Sequence, residues 1–295
     1  MNKVSLFLMT QKGFGVLQSI RDQGMTSLID VVVVGRDKNT LEDSAEEIIE
    51  LCEKAKIKWV ERTDAYTISS TYAIAISWRW LLNIPQEQSQ LIIFHDSLLP
   101  KYRGFAPLVN QLIQGERTIG ASALFADQTY DTGDIIDQEK VEISYPLTIK
   151  QAISHVSIAY QTLIHRILIQ IKEGKTLHST SQIESEATYS LWRNEEDYQI
   201  DWTQDAEKIK RFIDAVGFPY KGASSWIGDT KVRILEAETE EDVEVVNRDC
   251  GKVIFMRDKK PVVVCGKGLL KITNGHYEES KRPLLPMKKF RIRFT

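Results

Sequence analysis

The stretch VSLFLMTQKGFGVLQSI, residues 4–20, decides how the chain begins to fold. Val4 to Met9 is a short, largely apolar run, Thr10-Gln11-Lys12-Gly13-Phe14-Gly15 interrupts it, and Val16, Leu17 and Ile20 resume at helical spacing. That order predicts a strand, a glycine turn and a helix. Working outward, Ile29 to Val34 is a second apolar run closed by Gly35, followed by a charged amphipathic helix from Thr40 to Lys56. Leu41, Ala45, Ile48, Ile49 and Cys52 share one face of that helix. Tyr72 to Ile76 and Leu91 to Phe94 are two more strands of the same kind, ending at Ser77-Trp78-Arg79-Trp80 and at His95. Strands that are apolar on both faces and alternate with helices belong to a covered parallel sheet. Ligands of such sheets sit beyond the carboxyl ends of the strands, where Trp78 and His95 both fall.

From Thr148 to Gly174 apolar residues recur at helical spacing from Ile149 to Leu168, a long helix that Gly174 ends. Thr176 to Ser190 is polar and reads as a linker. Beyond it, apart from a helix at Asp205 to Val216, the chain turns to short β-rich runs. These are Ser224–Ile227, Lys231–Glu236, Gly251–Met256, Pro261–Cys265 and Leu269–Asn274. The expected fold class is therefore α/β: a Rossmann-like, mostly parallel sheet with helices on both faces over residues 1–190, then a small β-rich, barrel-like domain over 191–295.

A formal net charge of −3 and a pI near 6.0 give no bulk attraction to nucleic acid or to an anionic membrane, so neither is expected as a partner. Cys52, Cys250 and Cys265 are far apart, odd in number and without a CxxC pair. They read as reduced core thiols, with no metal site. The first apolar run is too short for a signal peptide or a membrane span, and a soluble cytoplasmic protein is expected.

Chemistry concentrates in two segments, FHDSLLPKYRGFAPL (Phe94–Leu108) and ALFADQTYDTGDII (Ala123–Ile136). The first places a histidine at a strand end, then a loop held by Pro100 and opened by Gly104. The second sets Asp131 and Asp134 around Thr132-Gly133, a turn-forming cluster. A His and an Asp on neighbouring loops can serve as a general acid/base pair, the carboxylate stabilising the protonated imidazole. Residue types alone leave open a structural histidine and an ordinary turn.

Together the segments resemble the signature of the folate-dependent formyltransferases, His-x-Ser-Leu-Leu-Pro-x-x-x-Gly followed by Asp-x-Gly-Asp. Here His95 and Asp131 lie 36 residues apart. The likeness covers the first domain almost wholly. Ile200-Asp201-Trp202 and the β-rich end resemble, more weakly, the carboxyl-terminal domain of the tRNA and sugar branches. The resemblance implies that His95 and Asp131 are catalytic and that formyltetrahydrofolate is the co-substrate. It further implies that Trp78, Arg79, Trp80 and Leu81, faced by Thr129 and Tyr130, line the folate pocket. An unprotonated amine would attack the formyl carbon, which calls for proton removal and oxyanion stabilisation. One position departs from the pattern: the family's asparagine two residues before the histidine is Ile93 here. Loss of one oxyanion donor costs roughly a hundred- to a thousandfold in rate.

For the acceptor, the turn with Lys12 and Gly13 at a helix start is a fair phosphate site, and Arg103 and Gly104, beside Lys101-Tyr102, are expected to line the same cleft. A nucleotide-linked amino sugar, as in surface-glycan or nonulosonic acid precursors, is the expected acceptor. The alternative of methionyl-tRNA predicts a basic insertion after the second strand, but GRDKNTLEDSAEEIIE (Gly35–Glu50) is acidic. The basic end KKFRIRF (Lys288–Phe294) reads as a solvated strand edge. Ile93 also leaves room for a non-catalytic folate- or sugar-nucleotide-binding protein. A homodimer is a general prior for soluble enzymes.

Overall fold

The structure, a computed structural model, describes residues 2–36, 43–85 and 87–295. The first strand, β1 (Val4–Leu8), is fully buried and passes at once into α1 (Thr10–Asp22). β2 (Ile29–Val34) is followed by α2 (Ala45–Ala55), which puts Ala45, Ile48, Ile49 and Cys52 on its buried face. Thr40 and Leu41, expected in that helix, lie outside the described residues. Next come β3 (Trp59–Glu61), β4 (Tyr72–Ile76) and β5 (Gln90–His95). They are followed by β6 (Arg103–Gly104), α3 (Pro107–Gln114), β7 (Thr118–Phe125), β8 (Ile135–Glu142), α4 (Ile149–Lys172) and β9 (Tyr189–Ser190).

The large sheet runs in the order β3-β2-β1-β4-β5-β7-β8. Its first five members are parallel, and β7 and β8 add an antiparallel edge. The order reverses between β1 and β4, so a crevice opens beyond their carboxyl ends and that of β5. Phe7, Val31, Val33, Ile68, Ala73 and Ala75 form one apolar cluster of this sheet, with Trp78 packed against it.

Two features differ from the sequence reading. The anticipated glycine turn is helix: α1 starts at Thr10, and the Gly13 N–H is spent on the Met9 carbonyl at 3.0 Å. Gly13 fits because a Cβ there would come within 3.1 Å of the Leu8 Cβ. The 176–190 stretch is not a free linker. Thr180 pairs with Ile135, and β9 pairs in parallel with β6. Gln182, Glu184, Thr188 and Ser190 are held by hydrogen bonds to specific partners, a form of order that leaves no apolar periodicity behind.

The contacts divide the chain into a unit of residues 1–108, 118–143 and 152–191 and a unit of residues 109–117, 144–151 and 192–295. In the second unit α5 (Ala206–Ala215) accompanies an antiparallel sheet of β10 (Ala223–Ile227), β11 (Thr230–Glu240), β12 (Val253–Arg257), β13 (Lys260–Val264) and β14 (Leu269–Tyr277). Its strand order is β10-β11-β14-β13-β12. The basic end segment is more than a solvated edge. Phe294 bridges to Ile227 of β10 and Arg293 to Lys252 beside β12, so these residues join the two edges and make the sheet barrel-like. Trp202 is 4% exposed and gives its indole N–H to Ser225 Oγ at 3.0 Å, an anchor of this core. Among the described residues, no helix is long and apolar enough to cross a membrane.

Candidate active site

His95 is the last residue of β5 and only 7% exposed. The loop after it is fixed by polar groups from the neighbouring antiparallel strands. Ser122 Oγ donates to the Ser97 carbonyl at 2.6 Å and accepts from the Leu99 N–H at 3.0 Å, and Gln138 Nε2 donates to the Leu99 carbonyl at 2.9 Å. This loop then doubles back so that the Tyr102 carbonyl lies 2.8 Å from His95 Nε2. A carbonyl can only accept, so Nε2 carries the proton and Nδ1 is left to do chemistry.

Nδ1 faces Asp131, with Oδ2 at 3.5 Å. The same oxygen accepts the Gly104 N–H at 2.8 Å. The imidazole is thus oriented by Tyr102, and the carboxylate is oriented by Gly104. The Asp131 loop is a tight device: Asp131 has φ 57°, and a Cβ on Gly133 would stand 1.8 Å from the Phe125 carbonyl oxygen. Gln182 Nε2 donates to the carbonyls of Asp131 and Gly133, each at 2.8 Å. Left-handed non-glycine backbone recurs around this cleft, at Thr10, Ser77, Tyr102, Ala106 and Asp131.

Of the expected site residues, His95, Asp131 and Gly104 meet. Gly104 touches Asp131 rather than lining an acceptor site through its open backbone, and a Cβ on it, at φ +100°, would come 2.6 Å from the Ser190 carbonyl oxygen. Arg103 is 1% exposed and bound to Glu184 at 2.7 Å and Gln182 at 3.1 Å, which pins the 182–190 segment. Lys12 has its ammonium paired with Asp96. Gly13, with its N–H used in the helix, offers no backbone donor to a phosphate.

Trp78 and Trp80 are in ring contact at 5.2 Å; Trp78 also packs edge-on to Phe7 at 5.2 Å, and Arg62 covers Trp80 at 4.0 Å. These two tryptophans therefore have core and packing partners. Arg79, Leu81, Thr129 and Tyr130 are exposed. The Tyr130 ring is 6.1 Å from Phe105, an exposed aromatic next to Gly104 that the sequence reading passed over. At the crevice itself, Thr10 Oγ1, Ser77 Oγ and Trp78 Nε1 are buried without a hydrogen-bond partner among the described residues. Unsatisfied donors at the strand ends β1 and β4 fit a ligand with polar ring edges, as a reduced pterin has.

Asp96 and Tyr160 were also missed. Asp96 accepts from Lys12 at Oδ2 and from the Tyr160 hydroxyl at Oδ1, the latter at 2.5 Å. Tyr160 looked like one more apolar position on the long helix, and its hydroxyl gave no signal in the periodicity.

Residues 39–169 match the family model described as formyl transferase, and residues 193–290 match the model of the formyl transferase C-terminal domain. A methionyl-tRNA formyltransferase from Ruminiclostridium cellulolyticum is 27% identical over 241 residues, 79% of this chain and 76% of that protein. The N-formyltransferase from Helicobacter canadensis, solved with folinic acid and dTDP-3-aminofucose, superposes with TM-score 0.71 at 15% identity, covering 94% of this chain and all of that one. HypX from Aquifex aeolicus superposes with TM-score 0.63 at 19% identity over 94% of this chain, which spans 44% of HypX. The two family models take in the strand-end histidine, the aspartate loop and the β-rich unit in the order in which they fold here, so the chain belongs to the formyl transferase family and its reaction class is folate-dependent formyl transfer.

Proposed function

We propose that the protein transfers the formyl group of formyltetrahydrofolate to the amine of a nucleotide-linked amino sugar, and that residues 1–190 form the catalytic domain. The observation that carries the choice of acceptor is the surface of α2, the helix after β2. Glu46, Glu47, Glu50 and Glu53 are all exposed there, and although Glu46 pairs with Arg36 and Glu50 with Lys54, the helix is net acidic, which disfavours a polyanion such as tRNA. The full-length likeness to an enzyme solved with dTDP-3-aminofucose supports the same reading. The relative that acts on methionyl-tRNA favours the other acceptor, which the test below includes.

The co-substrate supplies an electrophilic formyl carbon. His95 Nδ1 takes the proton that the attacking amine gives up and returns it to the folate nitrogen as the bond from that nitrogen to the formyl carbon breaks and tetrahydrofolate leaves, while Nε2 stays bonded to Tyr102. The imidazolium that results is compensated by the Asp131 carboxylate across 3.5 Å. Because Ile93 offers no donor, the protonated Nδ1 is also the group placed to answer charge on the formyl oxygen. Lys101, exposed on the loop after His95, is the cation proposed to meet the acceptor's diphosphate.

The test is mass-detected formyl transfer from 10-formyltetrahydrofolate to a panel of nucleotide amino sugars, with methionyl-tRNA in a parallel arm. The expected result is a product one formyl group heavier on at least one amino sugar. Formylation of methionyl-tRNA alone overturns the acceptor, and binding of both ligands without any formyl product overturns the reading as an enzyme.

A further inference from the structure

Two side chains that the proton transfer just described does not use, Arg103 and Gln182, meet beside the Asp131 loop. Gln182 Nε2 donates to the Asp131 carbonyl and to the Gly133 carbonyl, each at 2.8 Å. A carboxamide nitrogen carries two hydrogens, so both are spent on the loop that presents the Asp131 carboxylate. Its oxygen is spent too, since Oε1 accepts from Arg103 Nε at 3.1 Å. Turned by half a rotation, the amide would set its oxygen against two carbonyl oxygens. Arg103 excludes that form, because a guanidinium can only donate and therefore keeps the amide oxygen facing it.

Arg103 is itself fixed. Nη1 donates to Glu184 Oε2 at 2.7 Å and to the Tyr189 hydroxyl at 3.3 Å, and the main-chain N–H groups of Arg103 and Phe105 bond the carbonyls of Thr188 at 2.8 Å and Ser190 at 3.0 Å. The residue between them, Gly104, turns its N–H the other way, to Asp131 Oδ2 at 2.8 Å. Asp131 is thus held at two points, its carboxylate by Gly104 and its main-chain carbonyl by Gln182. With φ 57° it is a non-glycine residue in the left-handed region, where the surrounding structure has to fix the backbone. The same length of chain reaches the histidine side: Ser190 Oγ donates at 3.3 Å to the Tyr102 carbonyl, which lies 2.8 Å from His95 Nε2.

We infer that Arg103 and Gln182 are positioning residues for formyl transfer: Arg103 sets the orientation of the Gln182 amide, and Gln182 holds the Asp131 backbone at the angle from which its carboxylate meets Gly104 and faces His95. Neither side chain touches a reacting atom. Both act through Asp131, and the inference rests on the reading of that carboxylate as the charge that compensates the imidazolium. Glutamate at position 182 separates this role from simple attachment. It keeps the length of the side chain and gives Arg103 a charged acceptor, so the segment stays tied. It has no N–H for the carbonyls of Asp131 and Gly133.

The first measurement is amide hydrogen exchange, by NMR on the 15N-labelled full chain, which needs neither co-substrate nor acceptor. In Gln182→Glu the Gly104 N–H, whose acceptor is the Asp131 carboxylate, is expected to exchange about tenfold faster or more, while Leu6 in β1 keeps its native rate. Arg103→Lys, which keeps the charge but lacks the rigid fork that reaches both Glu184 and Gln182, should shift Gly104 the same way. Should that variant not fold, the half-buried Gln182 carries the test alone. The second measurement is steady-state transfer to the acceptor found with the panel above. Gln182→Glu should lower kcat about tenfold or more with KM within about twofold. In an Asp131→Asn background, where the charge is already gone, it should lower kcat by less than about twofold further, whereas general damage would take the same factor from both. Native Gly104 exchange in folded Gln182→Glu, or an equal fall of kcat in both backgrounds, overturns the proposal. Absence of transfer by the native protein to any acceptor would instead end the reading as an enzyme and leave the exchange result standing, so the two failures are distinguishable.

Discussion

Asparagine at position 131 changes the charge of the site while keeping its shape. In Asp131→Asn the amide oxygen can still accept the Gly104 N–H, and the loop stays held by Gln182 through main-chain carbonyls that the substitution does not alter. What is lost is the negative charge 3.5 Å from His95 Nδ1, between side chains that are 8% and 13% exposed. At that separation and an effective dielectric constant of about 20, the attraction for an imidazolium is about 5 kcal/mol. Part of it is screened by solvent at the mouth of the cleft, which leaves about 3 kcal/mol acting on the step in which the imidazolium forms. Each 1.4 kcal/mol is about tenfold in rate, so kcat should fall by roughly two orders of magnitude with KM nearly unchanged. Steady-state kinetics of formyl transfer, with Tm as the control for folding, measure this directly. A native kcat in a folded Asp131→Asn protein would show that no positive charge develops on His95.

His95→Asn should abolish transfer and leave Tm within a few degrees of native, since the ring's hydrogen bond is to a single loop carbonyl; loss of fold would make the histidine structural. Gly104→Ala forces a methyl toward the Ser190 carbonyl and should cost both stability and kcat, with the Asp131 position as the visible casualty in a crystal structure. Ile93 sits between Ala75 and Leu124 in the sheet; Ile93→Asn should therefore lower stability by about 1–3 kcal/mol while raising turnover, and unchanged turnover would mean that the oxyanion is already served. In the second unit, burial alone would raise the Glu195 carboxyl, but hydrogen bonds from Lys231 and Lys221 and the charge of Arg233 hold it at about 2, below its ordinary 4.5. This group's stabilisation is complete above pH 4.5 and lost as pH falls toward 2, so Glu195→Gln should flatten the fall of Tm between those pH values, modestly because the side chain is 41% exposed.

Strands were the legible part of this sequence. A strand covered on both faces has to be largely apolar, so Ile29–Val34, despite Asp30, and Tyr72–Ile76 appear in the sequence with the limits that they have in the fold. β8 reads IIDQEKVE and is half-buried, which gives it no such signature. The motif brought His95, Gly104 and Asp131 together, but it carried no information on what each cation binds. Arg103 and Lys12 look like free positive charge in a sequence. Their partners, Glu184 and Asp96, are 81 and 84 residues away, and pairing across such distances follows from folding alone. The 176–190 segment reads as a linker for the same reason: its order comes from hydrogen bonds to distant backbone.

That segment carries a consequence for when the protein becomes active. Gln182 holds the carbonyls of a loop whose aspartate lies 51 residues earlier, and Ser190 closes over the backbone of Arg103 and Gly104. During synthesis the parallel strands and their covering helices have all left the ribosome before this clasp is made. The nascent chain can therefore bury its first core with the Asp131 carboxylate still unsecured. Removing the clasp after folding, as in Gln182→Ala, should therefore loosen the Asp131 loop while the parallel sheet stays intact.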